Sequence, residues 1–173
     1  MKRLPFAVAL SVLTMAAAGC DDSPTNPSAT VPTFTMALTT ANEVPPITGV
    51  EAGASGNVTI KLNITRDAAN AITAATVDFS CTLAGFPAST SITIAHIHEA
   101  AAGVTGPIRV NTGLAGGDVT LVGGSGSFTK NAVNVTDLSI IQRILDNPSA
   151  FYFNVHSAAN GGGVVRAQLV RTQ

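Results

Sequence analysis

From Val31 onward the chain alternates apolar and polar residues with a period of two. In "TFTMALT" Phe34, Met36 and Leu38 share one side, and Thr33, Thr35, Ala37 and Thr39 the other. "NVTIKLNIT" repeats the pattern with Val58, Ile60, Leu62 and Ile64 against Thr59, Lys61 and Asn63. "TVDFSCTL" does so again, placing Val77, Phe79, Cys81 and Leu83 together. Alternation at this period is the mark of a strand with one dry and one wet face. "DVTLVGGSGSFTK" reads as a hairpin around a glycine turn, and two further strands are expected at 151–156 and 164–170. Strands of this kind predict an all-β fold: a Greek-key-like antiparallel β-sandwich of the superoxide-dismutase or immunoglobulin type.

One stretch follows a different period. "TDLSIIQRILDNPSA" carries Leu138, Ile141, Ile144 and Leu145 at helical spacing, with Thr136 or Asp137 placed as an N-cap and Pro148 blocking continuation. A single short helix is expected there, its apolar stripe serving the core.

The first thirty-two residues lack either pattern and divide the chain into three parts. "MKR" followed by "LPFAVALSVLTMAAA" has the charged start and short apolar run of an export signal. "AAGC" then resembles the bacterial lipobox, with Ala17 where leucine is usual. The resemblance implies a signal peptide over 1–19, cleavage before Cys20, and a lipid on its thiol. "DDSPTNPSATVP" has no apolar periodicity and three prolines, so residues 20–32 read as the lipidated cysteine and a flexible tether, and 33–173 as the folded domain. The implied setting is the bacterial cell envelope, extracytoplasmic, with the membrane as a partner through the lipid anchor. An ordinary signal peptide, leaving Cys20 as a plain thiol or removing it, is the rival reading. Cys81 falls on the apolar side of its strand and reads as a small core residue.

Composition narrows the function. Of 173 residues, 46% are apolar and 11% charged, and the net charge is −1. No basic surface of the kind that phosphate backbones require is visible, which excludes nucleic acid as a partner. The glycine runs lack the strand–loop–helix frame of a phosphate loop. No G-x-S-x-G or Cys/His nucleophile pattern is present.

The chemistry is concentrated elsewhere. The chain has three histidines: His96 and His98 in "AHIHEAAAGVTGPI", and His156 in "FYFNVHSAANGGGVVRAQL". On a strand, residues i and i+2 face the same way about 6–7 Å apart, so His96 and His98 can converge on one ion, with His156 as a third ligand from a neighbouring strand. Zn or Cu suits such a ligand set. Glu99 stands beside the pair as a candidate base, and Glu99, Asn154 and Arg166 are candidates for the shell behind the ligands. The competing reading makes the histidines partly buried polar residues bonded to Asn154, Glu99 or backbone carbonyls. One difficulty bears on both readings: Ile92 and Ile94 share parity with the histidines, so a face that starts as core would have to end polar.

These two blocks, with "ANEVPP" at 41–46 before them, resemble in order the signature blocks of the CHRD domain. That family typically shows H-I-H, then G-x-x-G-P, and later an aromatic-N-V-H-[ST] segment with a glycine turn and an R-G-Q-L-like strand. The likeness spans about residues 33–171. Glu99 stands where glycine commonly follows the second histidine, and Val164 and Ala167 replace an acidic residue and a glycine around Arg166. The resemblance implies a β-sandwich in an extracytoplasmic setting. The reading taken from it is a binding module for an unidentified protein or glycan ligand, with no enzyme activity required. The alternative is a metal-binding protein using the three histidines, with redox or hydrolytic activity.

Overall fold

A computed structural model describes residues 30–173. The signal peptide expected over 1–19, Cys20 and most of the expected tether lie outside the described residues. Eight strands and one α-helix follow: β1 (Thr33–Thr39), β2 (Ser55–Arg66), β3 (Ile72–Ala84), β4 (Ile92–Glu99), β5 (Ile108–Asn111), β6 (Gly126–Asn134), α1 (Leu138–Asp146), β7 (Phe151–Ser157) and β8 (Val165–Gln168). Strand neighbours pair antiparallel, in the order β5-β4-β7-β8-β1-β2-β3-β6.

The fold is all-β with one short helix, as the periodicity predicts. The two layers of the expected sandwich are halves of one curled sheet. They meet at β1 and β8, joined by the pairs Thr39–Arg166 and Phe34–Arg171. Curling brings the halves face to face: the Phe79 ring of β3 stacks on Phe153 of β7 with centroids 5.9 Å apart. Between them lies the core, in which Phe34, Leu38, Ile60, Val77, Phe79, Ile97, Phe153 and Val155 are fully enclosed. Cys81 belongs to it, free and buried, and burial pushes its thiol up to about 12.

Helix α1 starts where the sequence places it. Asp137 caps it by accepting from the Ser139 amide at 3.1 Å, and Ile140, Ile141 and Ile144 enter the core against β3. The glycine hairpin is shorter than expected. Gly123 and Gly124 both have positive φ, the requirement of a two-residue type I′ turn, but the turn closes only the single bridge Val122–Ser125 before β6 begins.

Strand β4 resolves the parity difficulty. Against β7, Ile92 pairs with Ser157 and Ile94 with His156, so Thr93 is an extra residue, a β-bulge. The bulge turns the rest of the strand over. Ile92 is fully buried in the core, Ile94 is 36% exposed, and Ala95 and Ile97 take over the core face. His96 and His98 are thereby directed to the outer side of the sheet.

Candidate metal centre

Three adjacent strands, β4, β7 and β8, present their outer-face side chains together. His96 lies opposite Asn154, His98 opposite Tyr152, and Ile94 opposite His156; on the far side Asn154 faces Arg166 and Tyr152 faces Gln168. An outer face normally meets water, yet His96, His98, Tyr152, Asn154, His156 and Arg166 are only 1–7% exposed. Cover comes from residues 40–51, the 99–107 loop and the 158–163 turn, which hydrogen-bond to this face or pack on it. The result is a buried polar layer separate from the apolar core.

The three histidines meet in this layer. Each offers a ring nitrogen within 4.8 Å of the others'. Two rings are fixed from behind: His98 Nδ1 donates to the Gly106 carbonyl and His156 Nδ1 to the Gly161 carbonyl, both at 2.9 Å. A neutral imidazole so engaged carries its lone pair on Nε2. Backbone carbonyls orient metal-ligating histidines in the same way. His96 Nδ1 donates to His156 Nε2 at 3.2 Å, close to the edge of about 3.3 Å between two nitrogens bonded tetrahedrally at 2.0–2.1 Å. His98 Nε2 is buried without any partner.

Aromatic stacking holds His98 in place. The Tyr152 ring lies parallel to it, centroids 4.7 Å apart and 3° between planes. The Arg166 guanidinium lies 3.4 Å over the same Tyr152 ring. Arg166 is 1% exposed and makes no ion pair among the described residues. Its Nη2 donates to the carbonyls of Val104 (2.7 Å) and Ala101 (3.3 Å), while the Tyr152 hydroxyl accepts from the Gly106 amide and Gln168 Nε2 donates to Ala100. These bonds tie the 99–107 loop down over the histidines. Glu51, also buried, steadies the other side by accepting from Ser157 Oγ and Asn160 Nδ2, which fixes the turn that supplies Gly161.

Electrostatics keep the rings neutral. Desolvation lowers all three histidines below their usual value; repulsion from the neighbouring rings adds to this for His96, taking it to about 4, and for His156, and the Arg166 charge adds to it for His98. Neutral imidazoles with free nitrogens are the form that binds a metal ion.

Glu99 does not join them. Neighbours on a strand face opposite ways, and Glu99 points away from His98. It accepts from Arg109 Nε at 2.7 Å and from Arg143 at 3.0 and 3.1 Å, which binds β4 to β5 and to α1 and holds its carboxyl below the usual range, Arg143 first. It is a structural ion pair, not a base beside the histidines. Asn154 and Arg166 do lie in the layer: Asn154 Oδ1 stands 3.0 Å from His156 Nε2, two acceptors facing each other in the tautomer that the Gly161 carbonyl fixes, and Arg166 contacts Tyr152 and the covering loop.

The acid that belongs to the layer is Glu43. It is 6% exposed, and its Oε1 has no hydrogen-bond partner. Burial raises it to about 7, with Arg166 and Asn154 opposing. Gly163, at φ +129°, leaves room for this group: a Cβ there would strike the Asn154 amide and stand 2.7 Å from Glu43 Oε1.

The elements that build the layer are the sequence blocks "ANEVPP", "AHIHEAAAGVTGPI" and "FYFNVHSAANGGGVVRAQL". A family model for the CHRD domain matches residues 34–169. The chain belongs to the CHRD domain family. No curated protein and no solved structure matches it. In this CHRD domain the first block supplies Glu43, the second His96, His98 and Gly106, and the third Tyr152, Asn154, His156, Gly161, Gly163 and Arg166. Sequence reasoning missed Glu43 and Tyr152. The signal for both was available: each stands inside one of the three CHRD-like blocks.

Proposed function

We propose that this CHRD domain is a lipid-anchored, extracytoplasmic binding module whose ligand is a transition-metal ion, Zn or Cu, held by His96, His98 and His156. The observation that carries the reading is the convergence of three neutral imidazoles, from strands sixty residues apart in sequence, with two Nδ1–H groups fixed by backbone carbonyls. The His98 Nε2 lone pair, buried and unpartnered, supports it, because such a group costs roughly 1–3 kcal/mol unless something satisfies it. His96, His98 and His156 would hold the ion; the ligand atoms, within 4.8 Å of one another, would have to close by at most about 1.5 Å to reach ordinary bond lengths, with the His96 proton held on Nε2 so that Nδ1 is free to bind. The reading is one of binding rather than catalysis, since Glu99 is engaged by Arg109 and Arg143.

Calorimetric titration of metal-free protein with Zn(II) and Cu(II), beside a His98→Ala variant, tests it. Wild type is expected to bind one equivalent at least about a hundredfold more tightly than the variant. Equal affinity would retire the metal and leave the histidines as structural hydrogen-bonders. The lipid anchor is proposed from the "AAGC" segment alone and is tested separately.

A further inference from the structure

Two buried side-chain polar atoms among the described residues have no partner: His98 Nε2 and Glu43 Oε1. Both lie beside one residue. Asn154 shares the layer with both: its Oδ1 is 3.0 Å from His156 Nε2, and its side-chain amide and Glu43 Oε1 together border the place a Cβ would take at Gly163. Glu43 reaches this place from a turn more than a hundred residues away in sequence. It lines the 280 Å³ cleft formed by residues 43–48 with Asn160, Gly162 and Gly163. A buried carboxylate oxygen without a hydrogen-bonded partner is a cost that folding alone does not explain. Gly163 keeps the space open for it. Arg166, the buried cation nearest in influence, contacts the loop carbonyls and Tyr152 instead of pairing with Glu43.

A metal ion gives these groups a common purpose. Three neutral imidazoles bring no negative charge, and Arg166 adds a positive one. An ion bound there in a region of low dielectric requires a nearby anion. We infer that Glu43 is the charge-compensating carboxylate of the site, acting through Asn154 on the ion-binding histidines, and that it biases the site toward divalent ions. The inference rests on the metal-binding reading above. Glu43 is a positioning residue and not a ligand: the cluster of convergent donor atoms contains the three histidines without it.

The bias follows from charge. Removing one negative charge at a fixed distance costs a divalent ion twice the electrostatic energy that it costs a monovalent one. The test is competition against chelators with the full chain in detergent at pH 8, using Zn(II) and, without oxygen, Cu(I). Glu43→Gln is expected to weaken Zn(II) by about ten- to a hundredfold, the range for loss of an outer partner of a metal ligand, and Cu(I) by about three- to tenfold, the square root expected from its single charge. Glu43→Asp, which keeps the charge, is expected to restore most of the Zn(II) affinity. Equal losses for the two ions, or failure of Glu43→Asp to rescue, would assign Glu43 to the fold and overturn the inference. No loss for either ion would overturn it too, while leaving the metal-binding reading intact. Wild type that binds neither ion would sink that reading itself. Circular dichroism of metal-free Glu43→Gln checks its folding, and Glu43→Met repeats the measurement if the amide variant does not fold. Failure of both to fold would also count against the inference.

Discussion

His96 Nδ1 stands 3.2 Å from His156 Nε2, although sixty residues separate them in the chain. They approach because a β-bulge at Thr93 inverts β4 and because β7 pairs with the inverted strand, so both imidazoles leave the apolar core for one buried polar layer. That layer makes several measurable demands.

Acid should destabilise the metal-free domain. The folded-state pKa values of the three histidines lie below the unfolded value, so the unfolded chain binds more protons as pH falls below about 6.5. The stability they contribute is present above that pH and lost on acidification, for His96 over the window from about 6.5 to 4. At 1.36 kcal/mol per pKa unit, His96 alone accounts for about 3 kcal/mol. Glu43 has the opposite sign. Its raised pKa makes it favour the folded state below about 4.5 and lose that contribution as pH rises through about 7. Thermal melts of metal-free protein should therefore show Tm falling between pH 6.5 and 4.5, more steeply for Glu43→Gln than for wild type. A flat profile in that window would mean that the histidines are not buried as described.

Gly163→Ala should damage the layer specifically. The new methyl would meet Asn154 and Glu43 at a backbone φ of +129°. Strain of this kind costs on the order of 1–3 kcal/mol. Denaturant titration should register that loss, and the variant should bind Zn(II) more weakly than Gly162→Ala, whose added carbon meets nothing.

Cys81 should be inert while the domain is folded. It sits at 1% exposure with its thiol raised to about 12, and the reactive species is the thiolate. A thiol reagent applied to a Cys20→Ser chain should label it at least about a hundredfold faster in denaturant than in buffer. Rapid native labelling would contradict the position of β3.

Cys20 ends the segment "AAGC", which resembles a lipobox. If it carries acyl chains, wild type expressed in a bacterium should enter the detergent phase and Cys20→Ser the aqueous phase. Equal partitioning of the two would remove the lipid anchor.

Much of this was legible in the sequence, for reasons that are local. Period two gave β1, β2 and β3 their faces because side-chain direction on a strand depends only on neighbours, and Phe34, Val58, Phe79 and Cys81 are buried as that rule requires. Helix α1 was equally local, since its cap, stripe and stop all lie within fifteen residues. The three blocks around Glu43, His98 and His156 announced the family. Tertiary structure decided what depends on distant partners. The turnover at Thr93 exists only as a mismatch between β4 and β7, and nothing in "SITIAHIHE" reports it. The joining of two layers into one sheet rests on β1 meeting β8, a pairing across more than 120 residues. The choice of carboxylate went against sequence proximity for the same reason. Glu99 adjoins His98 in the chain and therefore faces away from it, whereas Glu43 reaches the layer only because a distant turn folds over that face.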